Sequence, residues 1–139
     1  MAARLRAVAG LKLWPNAPLG PFTTMGVGGP AALLAAAATP EAVAAALACL
    51  SDAGSPWAFL GAGSNMLVGD KGFAGIVLKL SDELQYVQVV DEDAAAPAAA
   101  GAAAATAPAD SPQGGDTVIL EVGAATPLPK LSALVADWG

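Results

Sequence analysis

Phe59-Leu60-Gly61-Ala62-Gly63-Ser64-Asn65-Met66-Leu67-Val68 runs from one apolar stretch, through two glycines and two short polar residues, into another. The residues ahead of the glycines, Pro56-Trp57-Ala58-Phe59-Leu60, read as a short strand. After Val68 come a turn at Gly69-Asp70-Lys71-Gly72 and the apolar run Gly75-Ile76-Val77-Leu78-Lys79-Leu80, a second strand. The loop between the strands is the best place for chemistry. Its two glycines let the backbone approach a ligand closely. Successive N–H groups in such a turn form a concave anion site suited to a pyrophosphate, and Ser64 and Asn65 add side-chain donors. The pattern departs from familiar phosphate loops. A dinucleotide fold wants a third glycine where Met66 stands and a helix next, and a nucleotide P-loop wants Gly-Lys-Ser/Thr. On spacing alone, a plain tight turn fits as well as a phosphate site. Ser64 has no base to make it a nucleophile, because the chain has no histidine.

Working back toward the N-terminus, Thr39-Pro40-Glu41 is a strong helix start: an N-cap, a proline at the first helical position and a negative charge in the first turn. Val43, Leu47 and Leu50 then share one face with Ala46 beside them, and Gly54 supplies the stop. Cys49, next to this stripe, reads as a small buried filler. Ala31-Ala32-Leu33-Leu34-Ala35 fits strand or helix by periodicity, and Gly28-Gly29-Pro30 before it favours strand. Gly28 and Gly29 themselves read as a structural turn. Residues 1–20, with Pro15, Asn16, Pro18 and Gly20, read as a lead-in segment of one helical turn and a turn-rich loop. Helix, strand, loop and strand in this order describe a small α/β unit over residues 21–80.

Working forward, Gln85 to Val90 and Thr117 to Val122 look like two further strands. Between them, residues 94–109 hold 12 alanines in 16 positions, broken by Pro97, Gly101 and Pro108. Alanine favours helix, but this tract has no face to bury, so residues 94–115 read as a disordered insert in an expanded hairpin. The acidic residues flanking it, including Asp82, Glu83, Asp91, Glu92 and Asp93, read as solvated charge rather than a metal site. Thr126 and Pro127 then start a helix with Leu128, Leu131, Leu134, Val135 and Trp138 on one face, and the chain stops at Gly139. Residues 81–139 therefore read as the opening of a second subdomain, and the chain as a fragment of something longer.

Composition removes several classes of function. The 139 residues carry 6 basic and 12 acidic side chains, a net charge of −6, which argues against a nucleic-acid or anionic-membrane surface. The absence of histidine and the single Cys49 remove His-based catalysis, His-containing zinc sites and any internal disulfide. Redox or group-transfer chemistry would need a bound cofactor. The mean hydropathy of +0.58 comes from alanine. The longest apolar stretch, Ala31 to Leu50, is interrupted by Thr39-Pro40-Glu41, so it does not read as a membrane span. Lys12 and Pro15 likewise interrupt any signal-peptide core. A cytoplasmic protein is the default expectation, with nothing in the sequence to specify an oligomeric state.

Five segments in order make a more specific pattern than any one of them. They are Thr23-Thr24-Met25-Gly26-Val27-Gly28-Gly29-Pro30-Ala31, the Thr39-Pro40-Glu41 helix start, the Phe59 to Val68 stretch quoted first, Gly72-Phe73-Ala74-Gly75-Ile76-Val77, and Val122-Gly123-Ala124 ahead of Leu128-Pro129-Lys130-Leu131. Together they resemble the N-terminal part of the UDP-N-acetylenolpyruvoylglucosamine reductase (UDP-N-acetylmuramate dehydrogenase) family. The resemblance runs from residue 19 to the end, apart from the alanine-rich insert. It implies a vanillyl-alcohol-oxidase-type FAD-binding fold, with FAD held non-covalently between two α/β subdomains. It also implies NADPH as reductant and an enolpyruvyl UDP-sugar as substrate, in peptidoglycan precursor synthesis. By the same resemblance Gly61, Ala62, Gly63, Ser64 and Asn65 wrap the FAD pyrophosphate, flanked by Leu60 and Met66. The family often has Arg where Gly26 stands, which puts that cation's contact in doubt here. Its catalytic Arg, Ser and Glu and its substrate domain would lie beyond Gly139, leaving no catalytic residue in this chain. Two other readings stay open: another FAD-linked oxidase of the same fold, and a non-catalytic truncated fragment.

Overall fold

The computed structural model describes residues 2–90 and 119–136; the alanine-rich insert expected at 94–115 and the terminal Trp138 lie outside the described residues. The chain divides into two compact units, Met1–Ser81 and Asp82–Gly139.

The first unit is a mixed α/β layer. Helix α1 (Ala2–Arg6) leads into strand β1 (Leu11–Pro18), followed by β2 (Pro30–Ala37), helix α2 (Pro40–Ala53), β3 (Trp57–Leu60) and β4 (Phe73–Leu80). The sheet order is β1-β2-β4-β3, with β1 antiparallel to β2, and β4 parallel to both β2 and β3. The α/β class expected from the order of motifs is what the chain adopts.

Helix α2 is bounded as its sequence demands. The Thr39 side-chain oxygen accepts from the Ala42 N–H at 3.2 Å, Pro40 occupies the first turn, and Gly54 ends the helix in the left-handed region at φ 60°. The Glu41 carboxyl is held below the usual carboxylate range by its own backbone N–H and by the Thr39 hydroxyl. Ala42, Ala46 and Leu50 form the buried seam, with Val43, Leu47 and the free Cys49 packed partly buried beside them. This seam meets Leu5 of α1, Ala35 and Ala37 of β2, and Ile76 and Leu78 of β4 on one face of the sheet. Alternation along the strands sends Leu34, Leu60 and Val77 to the opposite face, where Ala17, Leu19 and Ala31 complete a second cluster.

Residues 11–18, read from sequence as a turn-rich loop, are instead the outer strand β1. An edge strand tolerates proline because one row of its N–H groups needs no partner. Asn16, at φ 51°, supplies the one left-handed residue among the non-glycines described. The helical turn expected before it is α1. Its Arg4 pairs with Asp52 of α2 at 2.7 Å, with both side chains more than half exposed.

One connection decides where the candidate loop lies. Strands β3 and β4 are parallel, so the chain must return along the sheet between them, which takes about a dozen residues. Residues 61–72 make that return. They do so across the face opposite α2, where Met66 and Val68 pack onto the second cluster. The β2–β4 pairing also slips between Ala31↔Phe73 and Leu33↔Ile76, placing one extra residue in β4 beside Gly75.

The second unit contains the antiparallel pair β5 (Val87–Val90) and β6 (Ile119–Val122), then helix α3 (Leu128–Ala136). Leu84, Val87, Gly123 and Ala125 are its buried residues among those described. The stripe expected on α3 buries none of its described residues, since a pair of four-residue strands presents little apolar face. Thr126, expected as the helix cap, turns its hydroxyl to the Tyr86 carbonyl at 3.1 Å, so the helix is tied to the start of β5 instead. On the paired strands, Glu121 accepts from the Tyr86 hydroxyl at 2.7 Å and from the Gln88 amide at 3.1 Å. That partner and partial burial push the Tyr86 hydroxyl above its usual range, the hydrogen bond to Glu121 being the larger cause.

Candidate functional site

Leu60 closes β3, only 1% exposed, paired with Lys79 and packed with Leu34 and Val77. The chain leaves the sheet there, at the carboxyl end of parallel strands, the position where open α/β sheets take ligands. Gly61 and Ala62 are exposed, Gly63 is buried, Ser64 and Asn65 are exposed in a turn, and Met66 returns to the apolar cluster. Of the seven residues expected at the site, Gly61, Ala62, Ser64 and Asn65 are exposed, Gly63 is buried against segment 22–24, and Leu60 and Met66 anchor the two ends in the apolar cluster.

The two glycines have different reasons to be glycine. Gly63 adopts φ +72°, and a β-carbon there would run into the Phe22 carbonyl oxygen and approach the Thr23 Cα to 2.9 Å. Its requirement comes from the fold. A β-carbon on Gly61 would meet nothing within 4 Å. The space beside Gly61 is open.

Backbone hydrogen bonding follows the same division. Among the described residues, the N–H groups of residues 61–65 donate to no backbone carbonyl, whereas the Gly63 carbonyl accepts from the Thr24 N–H at 3.1 Å. The Ser64 hydroxyl and Asn65 amide have no partner among the described residues either. Uncommitted donors in a short, largely exposed turn, with the Gly63 carbonyl engaged by Thr24, suit an anion rather than a cation. Beside the loop lies an apolar groove of about 240 Å³, lined by Leu19, Met66, Val68, Phe73 and Val77. The donor set and the open flank of Gly61 fit the pyrophosphate of a dinucleotide cofactor. Among the described residues, no group of three or more His, Cys, Asp or Glu side chains is placed to hold a metal ion.

The profile of a family described as FAD binding domain matches residues 30–115 of this chain. The chain belongs to that family. It is also 47% identical over 66 residues to a UDP-N-acetylenolpyruvoylglucosamine reductase of Streptomyces avermitilis, covering 48% of this chain and 18% of that protein. A reductase of the same name from Myxococcus xanthus is 37% identical over 91 residues, covering 66% of this chain and 29% of the relative. A crystal structure of UDP-N-acetylenolpyruvylglucosamine reductase from Thermus caldophilus shares 35% identity over 54% of this chain and 24% of that one, with a TM-score of 0.38. The chain thus spans less than a third of the length of these relatives.

Sequence reasoning missed one part of the site. Segment 19–29 is clamped onto loop 61–72 at several points: Thr24 N–H to Gly63 carbonyl, Gly29 N–H to Gly69 carbonyl at 3.0 Å, and the Phe22 carbonyl against Gly63. Gly29 and Gly72 are likewise positions where a β-carbon would strike backbone, of Asp70 and Pro30 respectively. The signal was present in the spaced glycines of both segments. Nothing in the sequence said that they interlock.

Proposed function

We propose that this chain is the FAD-pyrophosphate-holding portion of an NADPH-driven flavoprotein reductase. Its substrate is the enolpyruvyl ether of UDP-N-acetylglucosamine, and its product is UDP-N-acetylmuramate, a precursor of peptidoglycan. Similarity to reductases of that name supports the substrate class, and membership of the FAD binding domain family supports the cofactor. The observation that carries the reading is the row of uncommitted N–H groups at residues 61–65, at the carboxyl end of β3.

In this reading Gly61, Ala62, Gly63, Ser64 and Asn65 donate to the pyrophosphate oxygens. Leu60 and Met66 hold the ends of the loop to the sheet, and the open flank of Gly61 admits the cofactor. When bound, FAD supplies hydride transfer between NADPH and the enolpyruvyl carbon. The residues of this chain bind and orient the cofactor, and the proton-transfer groups belong to parts of the enzyme outside it. Residues 21–80 correspond to the first FAD-binding subdomain and residues 81–139 to the start of the second. The unpaired Cys49 agrees with a cytoplasmic setting, and among the described residues no helix is long and apolar enough to cross a membrane.

Titration of the 139-residue chain with FAD, read by flavin fluorescence, tests this. Saturable quenching is expected, and Gly61→Val should weaken it by about tenfold or more while leaving thermal unfolding unchanged. Flavin fluorescence unaffected by excess protein would overturn the cofactor assignment.

A further inference from the structure

We propose that Thr23 is a positioning residue for loop 61–65, acting from forty residues upstream through a turn that it holds closed. The proposal rests on reading that loop as the FAD pyrophosphate cradle. Thr23 is the one polar residue buried as a whole among the described residues, 8% exposed. Its hydroxyl lies 3.1 Å from the Gly20 carbonyl and 3.0 Å from the Val27 carbonyl, and shares one proton between them. Its N–H donates to the Gly20 carbonyl, and its own carbonyl accepts from Gly26, both at 3.1 Å. Segment 20–27 is therefore folded around this single side chain.

Little else holds that segment's tip. Met25 and Val27 are exposed, and a β-carbon on Gly26 would meet nothing within 4 Å. Yet the two residues beside Thr23 fix the middle of the candidate loop. The Phe22 carbonyl occupies the space beside Gly63, and the Thr24 N–H donates to the Gly63 carbonyl at 3.1 Å. Because the N–H groups of 61–65 make no backbone bonds of their own among the described residues, the position of Gly63 governs where they point. Removing the Thr23 hydroxyl releases the Val27 carbonyl, loosens the turn and frees Gly63 to move. A cradle that must be ordered at each binding event binds more weakly than one already in place.

Thr23→Val keeps the side-chain shape and deletes the donor; Thr23→Ser keeps the donor. Each 139-residue chain is titrated with FAD, and backbone ¹⁵N relaxation is measured at residues 61–65 without flavin. Thr23→Val should weaken FAD binding roughly three- to tenfold, the scale of one lost buried hydrogen bond, and lower the order parameters of the loop. Thr23→Ser should stay within about twofold, a rescue expected if the hydroxyl itself is the cause. Unchanged affinity, or unchanged order parameters, in the valine variant would overturn the proposal. If that variant does not fold, the unsubstituted chain decides: amides at 61–65 should show rigid-backbone order parameters near ~0.85, and values below ~0.6 without flavin would sink the idea. A chain that takes up no FAD at all defeats the cofactor reading, while the flavin-free relaxation data still judge the role of Thr23.

Discussion

The carbonyl oxygen of Phe22 occupies the space into which a β-carbon on Gly63 would project, and Gly63 itself lies at φ +72°. Both constraints point the same way. Gly63→Ala should destabilise the first unit by about 2–3 kcal/mol, combining a left-handed penalty with a backbone clash that no rotamer relieves. Urea denaturation checks this. The comparison with Gly61→Val separates glycine kept for packing from glycine kept for access, and equal stability of the Gly63→Ala chain would contradict the interlock of the two loops.

Thr39 caps α2 through its side-chain oxygen. Thr39→Ala should cost about 1 kcal/mol and Thr39→Ser much less. Thermal unfolding followed by circular dichroism distinguishes the two, and identical midpoints would show that Pro40 and packing alone set the helix start.

The Arg4–Asp52 pair joins α1 to α2 at 2.7 Å, but its side chains are 56% and 61% exposed. Solvent screening makes such a pair nearly neutral. Arg4→Ala and Asp52→Ala should each leave the unfolding midpoint unchanged within error, and the double variant should show no coupling. A large coupling energy would mean that α1 relies on charge rather than on Leu5.

Stability should vary with pH at the two ends of the scale. Glu41 has its carboxyl lowered from 4.5 by its own backbone N–H and then the Thr39 hydroxyl. Its contribution is present above that value and fades as pH falls through the lower folded value. Tyr86 is raised from 10.0, first by its hydrogen bond to Glu121. Its contribution is complete below that value and is lost as pH climbs through the higher folded one. With no histidine in the chain, these groups leave the range from about pH 6 to 9 flat. Unfolding midpoints measured across pH 3 to 11 test the shape, and Tyr86→Phe should flatten the alkaline limb.

Where local chemistry settles structure, the residues were readable. Thr39, Pro40 and Gly54 bound α2 in both sequence and structure because caps and stops act within a few positions. The strand at Pro30–Ala37 needed the preceding Gly-Gly-Pro to tip an ambiguous apolar run. Strand β1 is hidden in the sequence because Pro15, Asn16 and Pro18 carry turn chemistry, and only pairing with β2 draws this segment into a strand. The loop at 61–65 was visible as a candidate site from its residue types. Its packing against Phe22, Thr23 and Thr24 was not, since that contact joins segments forty positions apart. The face of α3 was legible as a pattern, yet a pattern does not say what will cover it.

Because β4 is inserted between β2 and β3, neither of which touches the other in the ladder, the sheet has an order of assembly built into its topology. A ribosome that has released residues only as far as β3 has exposed the β1 and β2 segments and a Trp-Ala-Phe-Leu segment whose ladder partner, β4, is not yet made. Lys79 must emerge before that segment gains its full ladder. Premature termination in residues 61–72 would therefore produce an adhesive, aggregation-prone stub rather than a shortened but serviceable domain.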